Sequence, residues 1–352
     1  MISSTSQLEQ FLGNCKHIAG KKVCAIDTEA DSLHRHKESL CLIQFSAGEE
    51  SVLIDPLAIE DLSPLALYLT DATVWMHGAD YDMTMLKREF GSLPPVVYDT
   101  QIGARLLGVK QFGLGNLVEH YFDVVLLKSS QKADWGMRPL SEKMIDYALN
   151  DVIYLLEMGE KIVAELKAKG RYEWFTESCE AAREKVAARD DSRDDQWRIS
   201  GSGKLEPYGL ACLRALWHWR DKEAEAWDRP SFMVATNRDL LEWCAVMANG
   251  QNIDLPRHFR SDRVKRFKET LAALKVLPKS EWPSRIATKR RKRDREFDQR
   301  VDAMIARRNM LATELDIDGS LIASRSVIES LAADEVKPGE VLMKWQLALL
   351  EI

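Results

Sequence analysis

No stretch of the chain approaches the roughly eighteen consecutive apolar residues that a membrane-spanning helix needs, so a helical membrane protein is excluded. The opening MISSTSQLEQFLGNCKHIAGKK has neither a basic start nor an apolar core. No secretory leader is expected from it, and the expected compartment is the cytoplasm. Cysteine is sparse and scattered. Cys15, Cys24, Cys41, Cys179, Cys212 and Cys244 form no C-x-x-C pair, which argues for reduced, mostly buried thiols and against zinc or disulfides. The overall positive charge of a nucleic-acid binder is missing too, since the formal net charge is −6. That average hides a division. Residues 1–203 carry 22 basic and 32 acidic side chains, residues 204–300 carry 22 and 14, and residues 301–352 carry 5 and 9. A phosphate-attracting surface therefore belongs to the middle segment, while the N-terminal part is rich in carboxylates.

What is present reads as a soluble globular protein of two or three domains: 352 residues, 45% hydrophobic and 30% charged. Residues 1–200 have a mixed α/β pattern. The apolar run Val23–Ile26 is a buried strand ending in Asp-Thr-Glu. LCLIQFSA and SVLIDP form a hairpin around Gly48, and further strands follow at 73–77 and at VVYD. Helices are expected at 82–90, at GLGNLVEHYF, over one long segment from about Ser141 to Lys169, and at YEWFTESCEAAREKVAAR. Residues Leu126 to Leu140 are a loop, and Gly170 ends the long helix at the C′ position. The segment RDDSRDDQWRISGSGKLEP loses apolar periodicity and reads as a linker. From Tyr208 onward the pattern is helical, with a break at Pro230, an N-cap at Asn237 and irregular spacing after Ala248. The expected domain boundaries are 1–200, 204–285 and 290–352.

Chemistry concentrates in the first domain. Side chains alternate along a strand, so Asp27 and Glu29 point the same way. Tyr147 and Asp151 lie four apart in a helix and share a face. Asp82 follows the strand at 73–77 and opens a helix. Three elements would then bring four carboxylates and a phenol to one place. Such a cluster repels itself and resists desolvation unless divalent cations neutralise it, and hard oxygen donors suit magnesium or manganese. Paired ions of this kind serve in-line displacement at phosphorus.

The segments AIDTEA, HGADYD and Tyr147-x-x-x-Asp151, in this order, resemble the signature of the ribonuclease D family, within the tyrosine subtype of the DEDD superfamily of 3′–5′ exonucleases. The sister subtype would carry histidine at position 146, which here is Asp146. The stretch ADWGMRPLSEKMIDYALNDVIYLL is similar to that family throughout, residues 208–248 resemble the HRDC helical module, and residues 297–350 resemble a degenerate second copy. The resemblance implies an α/β ribonuclease H-like exonuclease domain, a mixed sheet flanked by helices, followed by two all-α HRDC-like domains. It implies a monomeric exoribonuclease acting on single-stranded RNA 3′ ends, notably of tRNA precursors and other small RNAs, and releasing nucleoside 5′-monophosphates. It further implies two divalent ions, Mg2+ or Mn2+. Asp27 would bridge them, Glu29 and Asp151 would complete the first site, and Asp82 would hold the second through water. Tyr147 would orient the attacking water, with Glu29 as its hydrogen-bond partner. Two other readings stay open: a DNA 3′–5′ exonuclease, since the carboxylates do not distinguish the sugar, and a non-catalytic RNA-binding scaffold.

Other features carry weaker signals. His77 opens the second motif and is a candidate RNA contact, although a histidine at a strand end is more often structural. Arg138, in the loop before the catalytic helix, is a candidate phosphate clamp. Arg263, Lys265 and Arg266, with Arg257, Arg260 and Lys268, form a basic patch that reads either as an RNA surface or as solvated decoration. The run Lys289–Arg293, followed by Arg295, allows the same two readings. His34 and His36 could reach a phosphate. Trp217, Trp219, Trp227 and Trp243 follow the helical period and are expected in the core.

Overall fold

A central strand buried on both faces, through Cys24, Ala25 and Ile26, sets the layers of the fold. The computed structural model describes all residues except 16, 18, 19, 128, 129, 191–194 and 287–293, so the basic run Lys289–Arg293 lies outside the described residues. Two compact units are present. One comprises Met1–Ala30, Leu40–Arg189 and Arg291–Ile352, and the other Asp31–Ser39 and Asp190–Arg290.

The first unit holds a five-stranded sheet: β1 (Lys22–Ala30), β2 (Leu40–Ala47), β3 (Glu50–Ile54), β4 (Ala72–Met76) and β5 (Val96–Asp99), in the order β3-β2-β1-β4-β5. β1, β2 and β3 are antiparallel, whereas β4 runs parallel to β1 and β5 parallel to β4. The β2–β3 hairpin turns through two residues, and Gly48 supplies the positive φ of 66° that the first of them requires. Around the sheet lie α1 (Thr5–Asn14), α2 (Ser63–Leu69), α3 (Asp80–Phe90), α4 (Thr100–Leu107), α5 (Leu114–Phe122), α6 (Glu142–Asn150), α7 (Leu155–Ala168) and α8 (Tyr172–Ala187).

The strand alternation sorts two cores. Cys24, Ile26, Val74 and Met76 face one side, in a cluster with Met83, Met85 and Leu86 of α3. Ala25 and Trp75 face the other side, with Ala104 of α4, Ile162 of α7 and Phe175 of α8. Phe175 is fully buried and meets the rings of Trp75 and Tyr98, so Phe175→Ala would cost about 3–5 kcal/mol. Two glycines let α7 seat closely. A Cβ on Gly159 would lie 2.8 Å from the Trp75 ring, and one on Gly103 would lie 2.5 Å from Ile162.

Several expectations are corrected. β1 carries Asp-Thr-Glu as expected and extends one residue further, because β2 pairs with it as far as Ala30. The helix from Ser141 to Lys169 is two helices. Between them Asp151, Val152 and Leu155 donate to the carbonyls of Ala148, Leu149 and Val152, three residues back, a tighter turn than the α-helical spacing. Residues 290–352 were expected as a separate domain. Their described part clusters with the first unit, and its buried side chains join the same core.

Before those, in the second unit, come α9 (Pro207–Trp227), α10 (Ser231–Val234), α11 (Asn237–Ala248) and α12 (Ser261–Lys275). The break falls at Asp228–Pro230, with Asp228 left-handed at φ 49°. Thr236, not Asn237, caps α11, in a reciprocal box with Asp239. The expected linker contributes Trp197 to this unit's core, beside Trp217, Trp219 and Trp243. Trp227 departs from the expected burial: it is 48% exposed and lies under the Arg263 guanidinium, 5.2 Å from its ring centre. The β1–β2 connection belongs to this unit too. His36 Nε2 pairs with Asp221 at 2.9 Å, Arg35 with Asp228 at 2.8 Å, and Arg229 donates to the His34 carbonyl at 2.9 Å. These bonds give the segment a structural task.

The C-terminal helices are α13 (Arg295–Leu315), α14 (Gly319–Ile322), α15 (Arg325–Ala332), α16 (Pro338–Val341) and α17 (Lys344–Leu350). Phe297, Val301, Trp345 and Leu350 join the cluster of Trp75 and Phe175. Trp345 stacks on Trp174 at 4.9 Å, and the Glu177 carboxylate of α8 accepts from the amides of Lys344 and Trp345, satisfying the start of α17. All six cysteines are free thiols. Among the described residues no helix is long and apolar enough to cross a membrane.

Candidate active site

β1 pairs with β4 only from Lys22 to Ala25, while β2 follows it to Ala30. Beyond Ala25 one edge of β1 is therefore unpaired by strand, and this is where the acids gather. Asp27 and Glu29 continue the face of Ala25, and the turn after α6 brings Asp151 to them. One carboxylate oxygen from each of Asp27, Glu29 and Asp151 lies within 4.8 Å of the others.

Asp82 arrives from the opposite face with α3. It is buried, and its Oδ1 accepts both the backbone N–H of Thr28 at 3.0 Å and the Thr28 hydroxyl at 2.6 Å. The amide that β4 leaves unpaired is thus satisfied by Asp82. The turn leading into α3 is fixed by Asp99, which caps α4. Its carboxylate accepts from Gln101 N at 2.8 Å and from Gly78 N and Ala79 N at 2.9 Å each. Gly78 has φ 68°, a conformation that L side chains rarely adopt.

The electrostatics are those of crowded, poorly solvated acids. Burial, then Asp151 and Asp82, push Glu29 up to about 8. Burial raises Asp151 to about 7, against the Tyr147 hydroxyl, which favours its charged form. Burial also raises Asp82 to about 6, opposed by the Thr28 bonds. Asp27 sits well above the carboxylate range through burial and then the three neighbouring acids. Tyr147 is raised by burial and by the Asp151, Glu29 and Asp27 charges, so its phenol stays protonated. Its hydroxyl interacts with Asp151 and favours the charged form of that carboxylate. Asp27, Glu29, Tyr147 and Asp151 open on a cleft of about 390 Å³, also lined by His77, Gly113, Asn116 and Leu127, while Asp82 stays buried behind it.

His77 is in the cleft wall as a neutral ring. Thr100 Oγ1 donates to the Met76 carbonyl at 3.2 Å, so it accepts from His77 Nδ1 at 2.9 Å and leaves the lone pair on Nε2. Burial lowers the pKa of His77, against Asp99. The ring offers an acceptor to a substrate, not a cation.

Arg138 does not fit a phosphate clamp. Nε and Nη2 bind the buried Asp55 carboxylate at 2.7 and 2.6 Å. Nη2 also donates to the Cys41 carbonyl, and Nη1 to those of Trp135 and Met137. All five donors are spent, and the charge is neutralised. In the helical unit, Arg263 and the exposed Arg266 both bind the buried Glu223 carboxylate, Arg263 at 3.2 Å. Lys265 is 79% exposed and lies 4.0 Å from Glu269. Of the three patch residues expected to meet RNA, only Lys265 is presented to solvent without such an anchor.

Sequence reasoning missed Thr28 and Asp99. A residue between two site acids was a signal for the first. An aspartate closing VVYD directly before a helix was a cap signal for the second.

The chain matches the family described as 3′–5′ exonuclease over residues 1–167. It is 30% identical to ribonuclease D of Zymomonas mobilis, covering 94% of this chain and 87% of that one. It is 28% identical to ribonuclease D of Sphingobium indicum, covering 98% and 91%. The crystal structure of Escherichia coli RNase D superposes with a TM-score of 0.75 at 27% identity, covering 100% of this chain and 98% of that one. Site, fold and relatives agree: the chain belongs to the ribonuclease D family and is a 3′–5′ exoribonuclease.

Proposed function

We propose that Asp27, Glu29, Asp82 and Asp151 hold two divalent cations, magnesium or manganese, at the reacting phosphate. Asp27 would serve both ions, Glu29 and Asp151 would complete the first site, and Asp82 would serve the second through water. The observation that carries this reading is the convergence of Asp27, Glu29 and Asp151 oxygens within 4.8 Å. The donor set fits, being all hard oxygen, and cations relieve the repulsion that raises Glu29, Asp82 and Asp151. When bound, such ions supply a nucleophilic water at neutral pH and charge stabilisation for the leaving 3′ oxygen. The residues supply position. Thr28 fixes the Asp82 carboxylate. Tyr147 donates a hydrogen bond to Asp151 and keeps its lone pairs to accept from the attacking water, so it orients without acting as base.

The E. coli relative is described as an exoribonuclease involved in structured RNA processing. We propose that this chain likewise trims 3′ ends of tRNA precursors and other small RNAs, as a cytoplasmic monomer releasing nucleoside 5′-monophosphates. The exposed Arg257, Arg260, Lys265 and Lys268 of the helical unit support backbone contact with a single strand without strong base preference. The test is degradation of a 5′-labelled tRNA precursor with trailing 3′ nucleotides, beside matched single-stranded RNA and DNA. Stepwise 3′ shortening of RNA with mononucleotide 5′-phosphate products supports the reading. Cleavage from inside the RNA, or equal rates on DNA, contradicts it.

A further inference from the structure

Gln44 stands directly opposite Asp27 in the β1–β2 register, so the two side chains share one face of the sheet. It is completely buried, and neither its amide nitrogen nor its amide oxygen has a hydrogen-bond partner among the described residues. A buried primary amide left unpaired is destabilising, and an apolar residue would avoid that cost. The surroundings narrow what the amide is for. On the same face, Leu42 and Leu53 are apolar and pack in the cluster of Trp135 and Ala148. Ser46, two residues along, already accepts from the Ser51 hydroxyl at 2.9 Å. Asp27 is the polar side chain directly across the register, and its carboxylate is an acceptor.

We propose that Gln44 is a positioning residue for Asp27: its amide N–H donates to the Asp27 carboxylate and fixes the orientation in which that carboxylate bridges the cations. The inference rests on the proposed cation reading and adds the group that aims its central ligand. Partners of this kind typically change metal affinity by roughly 10–100-fold when removed. The amide is held unpaired in the metal-free fold and engaged in the loaded one, so stability and binding move in opposite directions.

The experiment compares Gln44→Met, which keeps the length and loses the amide, with the wild-type chain. Melting temperature without metal and Mn2+ affinity by calorimetry are both measured, with single-turnover RNA shortening alongside. The expected result is a metal-free melting temperature equal to or above that of wild type, with Mn2+ affinity and rate both lower by about 10–100-fold. Unchanged Mn2+ affinity would overturn the assignment. So would a lower metal-free melting temperature, or failure to fold, since either means the amide already serves the apo structure. Asp27→Asn is the control for the underlying reading. If it binds Mn2+ as the wild type does, the cation site itself is wrong; if it loses binding while Gln44→Met keeps it, only the role of Gln44 falls.

Discussion

Thr28 gives both of its donors to a single oxygen of Asp82, the amide at 3.0 Å and the hydroxyl at 2.6 Å. The residue between two site acids therefore holds a third, 54 positions away. Thr28→Val preserves shape and the amide bond but removes the hydroxyl. It should lower the single-turnover rate by roughly 10–100-fold and raise the metal concentration needed for half-activity, as expected for a residue behind a ligand. Thr28→Ser should restore most of the loss. Wild-type rate and metal requirement in Thr28→Val would show that Asp82 needs no such support.

The Tyr147 hydroxyl bonds Asp151 while the ring packs 6.1 Å from that of Trp135. Tyr147→Phe keeps the packing and removes the positioning group. The expectation is a kcat lower by about 100-fold with Mn2+ affinity within a few-fold of wild type. A parallel collapse of Mn2+ binding would mean that the phenol serves the site's assembly and not the water.

Metal-free stability should fall as pH rises. Unfolded carboxyls titrate near 4, whereas in the fold Asp82, Asp151 and Glu29 are raised to about 6, 7 and 8. The folded state then binds more protons across this window. The stabilisation is complete below about pH 4 and is lost as pH climbs through 8, by at most about 1.4 kcal/mol per pH unit for each such group. Melting temperatures taken with a chelator should decline from about pH 5 to about pH 8.5, and saturating Mg2+ or Mn2+ should reduce the decline. A flat or rising profile with chelator present would count against the crowded-acid description.

Arg138 is committed to Asp55, so its loss should be felt in the fold. Arg138→Ala leaves a buried carboxylate unpaired and should cost about 3–5 kcal/mol. At a temperature where the variant stays folded, KM for single-stranded RNA should be unchanged. A large rise in KM with little loss of stability would return Arg138 to the role of phosphate clamp.

The parts of the site that follow a local period were readable from the sequence. Asp27 and Glu29 obey the two-residue repeat of a strand, and the four-residue spacing of Tyr147 and Asp151 survived even though the helix breaks between Asp151 and Leu155. The mixed sheet was readable from short apolar runs separated by turn residues. What could not be read depends on which distant partner a side chain meets. Arg138 and Asp55 lie 83 residues apart, and Arg266 and Glu223 lie 43 apart, so a run of cations gave no sign that two of them are tied to one buried carboxylate. Amphipathic periodicity gave the C-terminal helices a buried face but not its cover, which proved to be the core of Trp75 and Phe175. Gln44 read as one polar letter in an apolar strand, and only the register with Asp27 gives it meaning.

The most direct test of the cation centre is anomalous diffraction from crystals soaked in Mn2+. The account predicts two peaks among Asp27, Glu29, Asp82 and Asp151 in the wild-type chain, and their loss in Asp27→Asn. Peaks elsewhere, or a pair that persists in Asp27→Asn, would contradict it.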